Sequence, residues 1–332
     1  MNSFTYARPN SANAAVGEIT SQPGAKFIGG GTNLLDLMKE GVTRATRLVD
    51  VNHLPFKKIE KLDAGGIRIG ALVTNSEVAY SGVIEKQYPL LASAILHGAS
   101  PQLRNMATTG GNVLQRTRCY YFYDVTTPCN KRSPGSGCGA IHGVNRIHAV
   151  LGTSESCIAT HPSDMCVALA ALGAKVNVKG PAGDRTIEFK NFHRLPGDRP
   201  ELDNTLQTEE LITSIDLPDE DFSKNFYYLK LRDRASYAFA LVSVAAALKM
   251  KDGVIEEARL AVGGVAHKPW RDEAAEALMK GQKPSVELFA SVAQKVFADA
   301  KGFEHNRFKI ELGKRAIVRA FKNALENPEI KP

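Results

Sequence analysis

Residues 25–34, AKFIGGGTNL, decide how the fold is read. Ala25, Lys26, Phe27 and Ile28 form an extended run that Gly29, Gly30 and Gly31 interrupt. Thr32 then stands where it can cap a helix whose Leu34, Leu37 and Met38 share one face. Three glycines between a strand and a helix start let backbone N–H groups approach a ligand, and a helix N-terminus favours an anion. In outline this is a phosphate cradle. It has neither the G-x-G-x-x-G spacing of a dinucleotide fingerprint nor the Lys-Ser/Thr pair of a P-loop, so alone it reads as a tight turn or as a binding loop. A second turn, Ala107-Thr108-Thr109-Gly110-Gly111-Asn112, again joins small hydroxyl residues and an asparagine to glycines. Two such cradles suit a ligand with two phosphates, whereas Asn33 and Asn112 read as plain turn residues if no ligand is bound.

Outward from this stretch, Gly41 stops the first helix and residues 48–51 follow as a buried strand. Residues 56–72 read as a hairpin about Asp63-Ala64-Gly65-Gly66, Thr74 with Glu77 as a capping box, and Pro89 to Gly98 as a second helix. Ser163 and Asp164 cap an apolar helix that ends at Gly173, and residues 175–179 and 210–217 are strands. Beyond Pro218-Asp219-Glu220-Asp221, a linker by composition, residues 226–231, 239–249 and 254–265 predict an antiparallel sheet. Helices over 272–280, 285–298 and 306–325 complete the chain.

The 332 residues suffice for two or three domains, and 43% hydrophobic with 23% charged residues excludes collagen, coiled coil and wholesale disorder. The net charge of +7 is scattered, without basic runs or interleaved aromatics, so nucleic acid is not the expected partner. With no charged-then-apolar leader and no apolar run of about 18 residues, neither a signal peptide nor a membrane span is expected. Synthesis in the cytoplasm follows, with the periplasm reached only if a partner subunit carries the export signal.

Four of the five cysteines fall between positions 119 and 157, spaced Cys119-x9-Cys129-x8-Cys138-x18-Cys157, in a segment poor in apolar periodicity. There are no C-x-x-C knuckles. A 4Fe-4S cluster or a zinc ion would supply the folding energy this segment lacks; free structural thiols and, less readily in the cytoplasm, disulfides are the alternatives. Cys166, on the apolar helix, reads as a small core residue, and His161 beside Pro162 as a loop histidine without chemical role.

Together FIGGGTNLLDLM, ATTGGN, HPSDM, YLKLRDRASYAFALVSVAAAL and LAVGGVAHKPWR resemble the FAD-binding medium subunits of the xanthine dehydrogenase family of molybdenum hydroxylases, nearly end to end. The insertion from Cys119 to Cys157 is similar to the one in the iron-sulfur-containing FAD subunit of bacterial periplasmic aldehyde oxidoreductases. The resemblance implies an α+β, two-subdomain FAD-binding fold of the PCMH/VAO type, then a C-terminal antiparallel sheet with a helical bundle. It implies FAD-binding subdomains at 1–55 and 56–220, the second carrying the insertion at about 115–160, and a C-terminal domain at 221–332. For FAD it implies Lys26, Phe27, Ile28, Gly29, Gly30, Gly31, Thr32, Asn33, Leu34, Thr108, Gly111 and Asn112 around the pyrophosphate. It also implies Asp164 at the ribityl chain, and Ile212 and Lys230 in addition. The 4Fe-4S ligands are Cys119, Cys129, Cys138 and Cys157 by the same token. Ser236-Tyr237 stands where relatives carry an acidic-apolar pair. No catalytic residue is expected on this chain. Electrons from aldehyde oxidation at a molybdenum cofactor on a large subunit would pass through 2Fe-2S centres on a small subunit to FAD and an external acceptor, in a heterotrimer or its dimer. A hydroxybenzoyl-CoA reductase or xanthine dehydrogenase type subunit is the related alternative. A zinc-stapled binding module is the alternative of another class.

Overall fold

The first glycine loop ends a short parallel sheet. In the structure, a computed structural model that describes residues 1–326, strands β1 (Thr5–Ala7), β2 (Ala25–Ile28) and β3 (Arg47–Asp50) pair in the order β1-β3-β2. The three-residue β1 and the helix Ala12–Ser21, whose Ala15, Val16 and Ile19 pack on this sheet, carry too little pattern to be read from sequence. Gly31 takes a left-handed φ of 72°, and its carbonyl accepts the first helical hydrogen bond, from Leu35 N. The helix therefore starts at Leu34 with Asn33, not Thr32, at the N-cap position, and the Asn33 side chain does not cap it. Asn33 Oδ1 is instead used by the backbone N–H of Arg116, 3.0 Å away.

The second sheet is antiparallel, in the order β4-β5-β8-β6-β7, from β4 (Ile59–Lys61), β5 (Ile67–Gly70), β6 (Lys175–Gly180), β7 (Gly183–Glu188) and β8 (Leu211–Leu217). The expected 56–72 hairpin is β4-β5, with Gly65 and Gly66 both at φ 83° in its turn. Thr74 and Glu77 form the reciprocal capping box, and Pro89 opens and Gly98 closes the helix Pro89–His97. The second glycine loop differs from its reading as a turn. It is a short helix, Thr109–Val113, whose N–H of Gly111 is capped by Thr108 Oγ1 at 3.2 Å.

The third sheet, in the order β11-β10-β9, comprises β9 (Asn225–Leu231), β10 (Val242–Lys251) and β11 (Val254–Gly263). β10 begins at Val242 rather than at 239, leaving Phe239 exposed ahead of it. Side chains alternate across β10. Ala245 and Ala247 join the core that also holds the helix Asp164–Ala171, while Val244, Ala246 and Leu248 face the helices Val286–Val296 and Phe308–Glu326. Small residues on the first face let the sheet lie close to the helix that carries Asp164. Residues 327–332, the end of the expected C-terminal domain, lie outside the described residues.

The cysteine segment packs its own apolar cluster, Phe122, Ala140, Ile158 and Ala159 with Leu37, and is tied to the rest of the chain by polar clamps. Asn306 Nδ2 donates to the carbonyls of His148 and Ala149, and Lys309 Nζ donates to those of His148 and Gly264. Val150 and Leu151 N–H groups donate to Val265 O. Burial lowers the Lys309 pKa to about 7, from 10.5 in an exposed lysine. Between those values the unfolded chain holds a proton that the folded chain has lost, so the Lys309 contribution to stability rises with pH from about 7 to 10.5, by up to about 1.4 kcal/mol per pH unit. Below the ordinary thiol range, from pH 7 to pH 8, the urea midpoint is expected to climb in the wild type. In Lys309→Met that component of the climb disappears.

Candidate functional site

Where the glycine loops meet, backbone touches backbone. A Cβ on Gly30 would lie 1.8 Å from Met106 O, and one on Gly29 would lie 3.0 Å from Thr108 Oγ1. The second loop is fixed in turn by Thr109 N to Val73 O and Gly110 N to Ala71 O, at 2.9 and 2.8 Å. Beside this junction opens a cleft of about 700 Å³, within the usual range for small-molecule sites. Thr32 and Asn33 line one wall, Gly111 and Asn112 another, and the segment His161–Asp164 with Lys230 the floor. Asn33 Nδ2, Asn75 Oδ1 and Arg104 Nε belong to lining residues and are buried with no hydrogen-bond partner. Buried polar atoms left unpaired in a cleft of this size are what a polar ligand would satisfy.

Asp164, 8% exposed, is the electrostatic centre of the floor. Ser163 Oγ caps its helix at Cys166 N, which puts the Asp164 carboxylate beside Tyr228 and Lys230 of β9. Tyr228 Oη donates to Oδ1 and Lys230 Nζ to Oδ2, both at 2.7 Å, and Lys230 also donates to His97 O. Burial beside this carboxylate pushes the Tyr228 phenol well above 10, so it is a fixed donor at any physiological pH.

A second, smaller cavity is lined by all four clustered cysteines. The SPGSG turn folds Cys129 and Cys138 into an antiparallel bridge, closed by Asn130 N to Gly137 O and by Cys129 N to Ser136 Oγ. Cys119, Cys129 and Cys157 are buried and Cys138 is half-buried; all are free thiols. Burial pushes the Cys119 thiol up to about 12 and the Cys157 thiol to about 11, so without a cation both would stay protonated. His148 Nε2 lies 3.0 Å from Cys119 Sγ and Ala159 N donates to Cys157 Sγ at 3.4 Å. Among the described residues, the one group of three ligating side chains whose donor atoms all lie within 4.8 Å is His161, Cys166 and His193. No three of the four clustered sulfurs therefore all lie within 4.8 Å of one another.

Residues 2–220 match the family described as FAD binding domain in molybdopterin dehydrogenase, and residues 227–325 that described as CO dehydrogenase flavoprotein C-terminal domain. This chain belongs to the FAD-binding medium subunits of the molybdenum hydroxylases. It is 51% identical over 326 residues, 98% of this chain and 99% of the relative, to the aldehyde oxidoreductase FAD-binding subunit PaoB of Escherichia coli K12. Identity to the glyceraldehyde dehydrogenase medium chain of Sulfolobus acidocaldarius is 26%, covering 96% and 97% of the two chains. In structure it is similar to carbon monoxide dehydrogenase from Hydrogenophaga pseudoflava, with a TM-score of 0.76, 23% identity and 98% coverage of both chains. The medium subunit is thus part of an oxidoreductase complex, and no helix among its described residues is long and apolar enough to cross a membrane.

Of the residues expected at the FAD site of this medium subunit, Thr32, Asn33, Gly111, Asn112, Asp164 and Lys230 line the one cleft. Gly29 and Gly30 lie behind its wall against the second loop, and the Thr108 hydroxyl is spent on capping. Ile212 is not brought there. It is 4% exposed in β8, paired with Val178 inside the core. Sequence reading missed Tyr228, His148, Arg104 and the buried partners of His161. Tyr228 alone left a trace, as it lies two positions before Lys230 on the same face of one strand.

Proposed function

We propose that this medium subunit binds FAD in the cleft and a 4Fe-4S cluster in the cysteine cavity, and serves electron transfer in a molybdenum-dependent aldehyde oxidoreductase. The observation that carries the reading is the convergence of Cys119, Cys129, Cys138 and Cys157 on one cavity. The identity to a subunit named for aldehyde oxidoreductase supports the substrate class. A large molybdenum-cofactor subunit and a small 2Fe-2S subunit complete the proposed heterotrimer. The proposed division of the chain is 1–55 and 56–220 around FAD, and 221–332 as the C-terminal domain.

When bound, FAD and the cluster supply the redox chemistry. The chain's own residues hold and tune them. Lys26 to Leu34, with Thr108, Gly111 and Asn112, would form the pyrophosphate wall, chiefly through backbone N–H groups. Asp164 would meet ribityl hydroxyls with the lone pairs that Tyr228 and Lys230 leave free. Denaturing the purified protein should release one FAD together with about four non-haem irons per chain. Colourless protein containing one zinc instead would overturn the proposal.

A further inference from the structure

The strongest unassigned cluster of ligating side chains lies behind the cleft floor. His161, Cys166 and His193 come from the loop before the helix Asp164–Ala171, from its first turn, and from the end of the short helix Phe189–Phe192. Their exposures are 8%, 0% and 4%, and one donor atom of each lies within 4.8 Å of the others. The two imidazole rings are 4.3 Å apart between centroids.

The hydrogen bonds around the rings leave ring nitrogens unused. His193 Nε2 is 2.8 Å from the carbonyl oxygen of Val113, to which it can only donate, so Nε2 carries the proton and Nδ1 presents its lone pair. That Nδ1 is buried with no partner, and so is His161 Nε2. A backbone carbonyl that accepts from one ring nitrogen of a histidine, fixing the tautomer that leaves the other nitrogen's lone pair free, is the usual arrangement around a bound ion. The edges of Phe189 and Phe192 pack around His193, at centroid distances of 5.5 and 4.8 Å, so bulk water does not replace the missing partners.

We propose that His161, Cys166 and His193 bind a single divalent cation of the zinc type, reaching from the cleft floor at His161 into the core behind it and distinct from the four-cysteine cavity. Imidazole and thiolate are the donors zinc prefers, and bonds of about 2.0–2.3 Å set donor separations of about 3.3–3.6 Å, which a shift of about 1.5 Å or less between any two donors reaches from separations of at most 4.8 Å. Binding releases the Cys166 proton to solvent and leaves the metal's oxidation state unchanged. The ion would tie the segment carrying Ser163 and Asp164 to His193. Through Val113 it would also be tied to the helix bearing Gly111 and Asn112, so that two walls of the cleft are held in register.

The test equilibrates the purified full-length chain with zinc chloride, removes the excess by gel filtration, and counts zinc, iron and FAD by elemental and flavin analysis. We expect about one zinc per wild-type chain. In Cys166→Ala, which removes only a sulfur from a fully buried position, zinc should fall by about tenfold or more, with FAD and iron retained. Added zinc should raise the Tm of the wild type but not of Cys166→Ala, a readout that also stands if His193→Gln fails to fold. In Cys138→Ser the zinc should persist. Wild-type protein without stoichiometric zinc, zinc retained in Cys166→Ala, or zinc lost in Cys138→Ser would each overturn the assignment.

Discussion

Replacing Cys138 with Ser is expected to lower bound iron from about four atoms per chain to less than about one, with FAD still bound. The cavity shows why the two should separate. Cys138 is the half-buried member of the four and faces Cys129 across the SPGSG turn, so removing its sulfur would open the proposed cluster position on the rim without emptying a core site. Serine retains the volume and the backbone bridge but is a poor ligand for iron. None of the four cysteines lines the cleft proposed for FAD, whose lining includes the glycine loops, Asp164 and Lys230. Iron and flavin counted on the same sample decide the matter. Unchanged iron would remove Cys138 from the ligand set, and joint loss of iron and FAD would mean that the segment is a folding element of the cleft.

Gly30→Val is expected to do the reverse, losing FAD first. The sequence suggests that glycine is needed there so that backbone can approach a pyrophosphate. The structure adds a more immediate reason, since a Cβ at this position would lie 1.8 Å from Met106 O. Backbone cannot yield as a flexible side chain does, so the two loops must part. A cost of at least about 3 kcal/mol is expected, at the upper end for overpacking. Parting the loops moves Thr32 and Asn33 away from Gly111 and Asn112, so FAD occupancy should fall by more than about tenfold while iron is largely kept. A wild-type flavin-to-protein ratio in this variant would show that contact between the loops does not shape the site.

Much of the architecture was legible because it rests on local rules. The interrupted strand at 25–31, the Thr74–Glu77 capping box, the Pro89–Gly98 helix and the three apolar C-terminal strands all follow from spacing and punctuation. What escaped was governed by tertiary context. β7 is GDRTIE, exposed at every position but one on a sheet edge, so it has no apolar alternation to read. Thr109–Val113 reads as a turn because it holds two glycines, yet Thr108 caps it and the neighbouring sheet fixes it as a helix. Phe239 has the residue type of a strand but stands in the cleft wall ahead of β10.

The candidate site was legible in its cysteines and glycines and opaque in its charge pairing. The 4 + 1 division of the cysteines was visible from their placement, but the convergence of the four depends on a turn and on contacts with the C-terminal helix. The Asp164–Lys230 pair joins residues 66 positions apart, with both side chains almost fully buried, and no local pattern announces it. His161 reads as an idle loop residue; only the fold places it beside His193 and Cys166.

The most direct test of the central claim, that this medium subunit carries an iron–sulfur cluster beside its flavin, is the optical spectrum of the purified chain before and after dithionite. A yellow-brown protein is expected, whose broad absorbance beyond the flavin bands scales with iron content and bleaches on reduction together with them. A spectrum of flavin bands alone, or no visible absorbance at all, would contradict it.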